Sequence, residues 1–155
     1  MTAIDLTHQI DDIRERYEDA WRSEEAHREL CELWGGEANP AGVFEEHETV
    51  QIGLEGKRQW KAEVHVASTR KGWHAMSTSY SCAIGGSSSS PSVWSRTAYT
   101  DKEEALQAGY GKLIEAFEKV KVDRNSCAPK TQLADAQRMI EMIRERMGPQ
   151  QMGLF

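Results

Sequence analysis

Three side chains in the middle of the chain have types suited to acid and base chemistry: Glu63, His65 and His74. A carboxylate and two imidazoles can hold and pass a proton near neutral pH when they share one face. Alternation places Glu63 and His65 on the same side of one expected strand, and His74 falls in its neighbour. The densest run of would-be metal ligands is Glu45-Glu46-His47-Glu48. Adjacent residues in a loop or strand point in different directions, so these four do not converge on one ion, and His8, His27, His47, His65 and His74 stand in no metal spacing. There is no nucleophile elbow, Cys-x-x-Cys pair or Walker loop. Gly85-Gly86-Ser87-Ser88-Ser89-Ser90 runs into Pro91 rather than into a Lys and a helix, which excludes a phosphate loop and suggests a mobile hairpin connection. The chain is expected to carry no catalytic set, no metal and no cofactor.

A different chemistry stands at Gln151-Met152-Gly153-Leu154-Phe155, just after the helix-stopping pair Gly148-Pro149. Leu154 and Phe155 left in water would keep apolar area exposed, which suits a pocket on another protein. Folding back onto the core as a plug is the alternative. The pentapeptide resembles the Gln-x-x-Leu-Phe motif by which bacterial polymerases and repair proteins dock on the DNA polymerase sliding clamp, the beta subunit. The resemblance implies that Gln151 seats in the polar part of the clamp groove while Leu154 and Phe155 enter its apolar pocket. Met152 stands where Leu is commoner, and Gly153 where a small or acidic residue is usual. A partner is implied, not a reaction, and DNA is met only indirectly. The segment from Trp73 through Ala105 is similar to uncharacterised phage and plasmid proteins that end in such tails, which implies a phage or other mobile element as the source.

The net charge of −6 disfavours direct binding to phosphate backbones, which select clusters of Lys and Arg. The nearest approach to a nucleic-acid face is Lys57, Arg58, Lys61, Arg70 and Lys71, interleaved with Trp60 and Trp73 near the ends of two expected strands. Solvated hairpin ends with half-buried tryptophans explain the same residues.

Positioning all of these requires an ordinary folded body. With 155 residues, 39% of them hydrophobic, and five Trp, the chain suits one compact domain with a real core. No apolar run approaches the roughly 18 residues of a membrane span, and Met1-Thr2-Ala3-Ile4-Asp5 lacks the basic start of a signal peptide. Three widely spaced cysteines, Cys31, Cys82 and Cys127, argue against a disulfide framework. A cytoplasmic protein without membrane contact is expected.

Apolar residues at Leu6, Ile10, Ile13, Tyr17, Ala20 and Trp21 recur at helical spacing and resume at Ala26, Leu30, Leu33 and Trp34, so the spacing predicts one helix, or two with a joint near Ser23. Thr2 with Asp5 is the expected capping box, and Gly35-Gly36 the stop. Alternation then predicts strands around Val50–Leu54 and Trp60–Val66 with a turn at Glu55-Gly56, a third from Trp73 to about Ile84, and a fourth over Val93–Tyr99. Thr100-Asp101-Lys102-Glu103 opens a helix whose apolar face includes Leu113 and Phe117, with Ala105 and Gly109 allowing close approach. A final helix uses Leu133, Ala136, Met139, Ile140, Ile143 and Met147. The fold expected is α+β: an N-terminal helix, an antiparallel meander of three to four strands, helices packed on one face, and a disordered C-terminal tail. Its divisions are an α+β domain over 1–120, a linker over 121–130, a C-terminal helix over 131–147 and a clamp-binding tail over 148–155. The order resembles the double-stranded-RNA-binding domain, but Asp101, Glu103 and Glu104 stand where that family carries a basic cluster, so topology alone is shared.

The expected function is therefore a non-enzymatic adaptor or modulator, an inhibitor included, that docks on the sliding clamp. The alternatives are a small nucleic-acid-binding or DNA-processing protein localised by the clamp, and an oligomeric interaction module with a structural tail. In the last case the charged N-terminal helix could pair with a second copy to give a homodimer.

Overall fold

The helical spacing of the first thirty residues divides in two because caps stand inside it. The structure, a computed structural model, describes residues 3–123 and 127–148. Helix α1 (Thr7–Arg16) begins where Asp5 Oδ1 accepts the Thr7 N–H at 2.9 Å, and hydrogen bonding from the Thr7 side chain, then from its N–H, holds the Asp5 carboxyl below its ordinary value. Helix α2 (Glu24–Trp34) begins at Ser23, whose Oγ accepts the Ala26 N–H at 3.1 Å, with Glu24 and Glu25 in the first turn. It ends at Gly35, where φ is 72° and the N–H returns to the Cys31 carbonyl at 2.8 Å. A 3₁₀ turn, Ala20–Arg22, lies between the helices.

The earliest residues correct the sequence expectation. Ala3–Asp5 form strand β1, not a helix start, and pair antiparallel with β6 (Thr97–Tyr99), Ile4 opposite Ala98. So short a strand is specified by its distant partner and leaves no local alternation to read.

The remaining strands are β2 (Glu48–Leu54), β3 (Lys57–Ser68), β4 (His74–Cys82) and β5 (Gly85–Ser87). The sheet order is β1-β6-β4-β3-β2, with β5 added to β4. The α+β class and antiparallel pairing are as expected, but among the described residues the sheet has six strands rather than three or four. β5 replaces the mobile connection expected at Gly85-Gly86. Its backbone passes so close to β4 that a Cβ on Gly86 would lie 2.3 Å from the Tyr80 carbonyl oxygen, so only glycine fits. Serine hydroxyls anchor the next residues to β4: Ser89 Oγ donates to the Thr78 carbonyl at 2.8 Å. The fourth expected strand shortens to Thr97–Tyr99, and Val93 is buried in the turn before it.

The chain divides into two compact units, one of Met1–Glu48, His65–Ser77 and Ser90–Leu106, the other of Thr49–Val64, Thr78–Ser89 and Gln107–Phe155. In the first, α1 buries Ile10, α2 buries Leu30 and Trp34, and Leu6 is buried just before α1. Trp34 meets the rings of Phe44 and Trp73 edge-on at 5.7 and 5.9 Å, and its Nε1 donates to the Val93 carbonyl at 3.0 Å.

In the second unit, Trp60, Ala62 and Val64 alternate on the buried side of β3. Helix α3 (Lys102–Lys121) brings Phe117 against Trp60 and Tyr80, at 6.2 and 5.4 Å between ring centroids. Gly109 provides the close approach expected of it, since a Cβ there would lie 2.5 Å from Val64 Cγ1. Helix α4 (Pro129–Met147) buries Ala136, Met139, Ile140 and Ile143. Leu133, expected on that face, is 47% exposed. Gln132 is buried instead because the Val120 carbonyl needs a donor, which Gln132 Nε2 supplies at 3.0 Å. Among the described residues no helix is long and apolar enough to cross a membrane.

Candidate functional site

The residues that carry the clamp resemblance come after α4. That helix stops at Gly148, where φ is 75° and the N–H bonds the Arg144 carbonyl at 3.3 Å, a conformation that favours glycine. Gln107 Nε2 donates to the Met147 carbonyl at 3.2 Å and so fixes the last turn. Gln151, Met152, Leu154 and Phe155 lie outside the described residues.

Most of the residues expected from sequence to form a nucleic-acid face have other partners. Trp60 is buried against Phe117 and offers no ring to a base. Lys57 Nζ pairs with Asp135 at 2.7 Å, while Arg58 and Lys61 are exposed. In the other unit, Arg70 and Lys71 close the C-terminal end of α2: the Arg70 N–H donates to the Gly35 carbonyl at 3.2 Å and Lys71 Nζ to the Leu33 carbonyl at 2.8 Å. These bonds satisfy carbonyls that a helix end leaves open. Lys71 Nζ also lies 4.1 Å from the centre of the Trp73 ring. Lys57, Arg58, Trp60 and Lys61 thus fall in one unit, and Arg70, Lys71 and Trp73 in the other.

The two histidines of the acid–base set also have separate partners. Glu63 and His65 share one side of β3, both half-buried. The His65 ring meets His47 edge-on at 5.3 Å, whereas His74 Nδ1 lies 2.8 Å from Ser68 Oγ. Burial lowers the pKa of His74 from its ordinary value, Lys102 lowers it further, and Asp101 opposes them. The His74 imidazole, held by a hydroxyl, can exchange a proton, but among the described residues no carboxylate is hydrogen-bonded to it to orient it as a general base.

The run at Glu45 diverges. Glu45 and Glu46 line a cleft of about 460 Å³ with Asn39, Ser68, Thr69 and Arg70. His47 Nδ1 donates to the Phe44 carbonyl at 2.9 Å, and Glu48 is paired with Lys102. Among the described residues no three His, Cys, Asp or Glu side chains are grouped to hold a metal ion.

Sequence reasoning missed an aromatic pair. Trp21, assigned to the buried stripe of the first helix, stands 59% exposed on the 3₁₀ turn and stacks on Trp94. Asp19, at φ 51°, breaks the helical phase just before it, and an Asp at that place gives little local warning. No protein family, curated protein or solved structure matches the chain.

Proposed function

We propose that the protein is a non-enzymatic adaptor or modulator that docks on the bacterial DNA sliding clamp through Gln151, Met152, Leu154 and Phe155. The observation that carries this reading is the pentapeptide itself, with its amide and two apolar anchors at the motif's spacing. The stop of α4 at Gly148 supports it, because the motif then comes after a helix end instead of continuing a buried helical face. The phage or mobile-element source belongs to the same reading, and docking would either recruit a further factor or exclude polymerases from the groove.

Energetics limit what the tail does alone. Burying Leu154 and Phe155 contributes about 1.5 to 3 kcal/mol each, and a hydrogen bond to Gln151 about 1 kcal/mol. Ordering the five residues opposes this by about 1 kcal/mol or more apiece. Micromolar affinity, about −8 kcal/mol, therefore calls for a pre-formed pocket, further contacts, or two copies engaging one ring.

The test is a titration of purified bacterial clamp with the full chain and with Leu154→Ala/Phe155→Ala. The double variant should keep its fold and lose binding. Equal affinity of the two chains would refute the reading.

A further inference from the structure

We propose that the cleft beside Trp21 binds a flat nitrogenous base carrying a phosphate. An exposed tryptophan that is nonetheless held in place is the first observation. Trp21 lies 4.1 Å from Trp94 between ring centroids, tilted by 34°. Trp94 is itself seated against Gly42, where a Cβ would come within 3.1 Å of its ring. The turn that presents Trp21 depends on Asp19 in a left-handed conformation at φ 51°, which side-chain-bearing residues seldom adopt. A strained turn that exposes a large aromatic ring gains no core from doing so, and such strain collects at binding sites.

The second observation is the cleft that Trp21 walls. It encloses about 540 Å³, within the range of small-ligand sites, and is lined by Trp21, Arg22, Glu24, His27, Arg28 and Pro40 among others. Trp21 and Pro40 supply flat apolar surface. Arg22 has only a long contact to Asp19, 3.7 Å, and Arg28 has no hydrogen bond or ion pair among the described residues. The Arg14 guanidinium lies 5.9 Å from the centre of the Trp21 ring and adds positive charge. His27 is fixed with Nε2 donating to the Asn39 carbonyl at 2.8 Å. In a chain of net charge −6, arginines without close partners beside an open indole suit a planar ring with an anionic group. Glu24, which also lines the cleft, disfavours a dense polyanion and suits a single phosphate on the side of the arginines. A free nucleotide and a single nucleic-acid strand both present this chemistry. The inference is independent of clamp docking, since the two sets of residues do not overlap.

The test monitors tryptophan emission of the full chain on titration with AMP, with a ten-nucleotide deoxyadenylate and with inorganic phosphate. Saturable quenching by AMP and by the oligonucleotide, but not by phosphate, is expected. Trp21→Ala should weaken binding about tenfold or more, Trp21→Phe should retain most of it, and Arg28→Gln should reduce its salt dependence. Equal affinity for AMP and the oligonucleotide assigns the cleft to free nucleotide, and tighter binding of the oligonucleotide assigns it to a strand. No saturable quenching by either at millimolar concentration, or unchanged binding by a folded Trp21→Ala, would overturn the proposal.

Discussion

The two compact units use their aromatic and titratable residues differently. The first holds Trp21, Trp34, Trp73 and Trp94 and all five histidines, whereas the second has Trp60 alone and no histidine. Trp60 is wholly committed to packing against Phe117. The first unit divides its tryptophans, burying Trp34 completely and leaving Trp21 largely in water. The contrast teaches where binding chemistry is available. In the second unit α4 packs through an apolar face, while the first keeps an open aromatic cleft.

Substitution of the two contrasting tryptophans should give the largest difference. Trp34→Ala removes a fully buried ring and its hydrogen bond to Val93, and should cost about 3–5 kcal/mol in urea denaturation. Trp21→Ala should change stability by about 0.5 kcal/mol or less. Comparable losses would mean that Trp21 is core after all. Next in size is Gly109→Ala in the second unit. Alanine favours a helix over glycine by about 1 kcal/mol, but its Cβ would press on Val64 at 2.5 Å from Cγ1 and 3.0 Å from Cγ2. Overpacking should win, with a net loss of about 1–3 kcal/mol. Adding Val64→Ala should then recover part of that loss, and a stabilised Gly109→Ala protein would show that α3 does not lie tightly on β3.

The features legible in the sequence were those that local chemistry decides. Gly35 and Gly56 announce a helix end and a hairpin turn, and both adopt positive φ, 72° and 77°. The start of α3 was legible to within one residue: the Thr100–Glu103 capping box gives way to Asp101, whose Oδ1 accepts the Glu103 N–H at 3.1 Å. β1 and β5 were illegible because three residues carry no period and each exists through a partner far along the chain or folded back on it. Trp21 was misplaced for a related reason. Helical spacing counts apolar residues without registering that Asp19 turns the backbone out of phase, so it assigns an exposed ring to the core. The same limit affects the basic residues: Lys and Arg near strand ends suggest a charged face, while their use as donors to the α2 carbonyls depends on tertiary contacts.

The smallest effect should appear on acidification, and it concerns the first unit. His74 has a folded pKa below its ordinary 6.5, chiefly because burial disfavours the charged ring and secondarily because Lys102 faces it, with Asp101 opposing. The unfolded chain then takes up the His74 proton at a higher pH than the folded one. Stability from this group is thus fully present above about pH 6.5 and is lost as pH falls through that value toward the folded pKa. The carboxyls of Asp5 and Glu29 are also lowered, Asp5 by its bonds to Thr7 and Glu29 by Arg16 and then Tyr17, but their losses begin only near the ordinary values of 3.8 and 4.5. Comparing denaturation midpoints at pH 7.5 and 5.5 therefore excludes them. His74→Asn keeps a polar group near Ser68 Oγ and removes the titration, so the variant should lose less stability over this interval than the parent chain. If both lose equally, the acid sensitivity belongs to other groups, and desolvation of His74 by the first unit is too slight to be felt in folding.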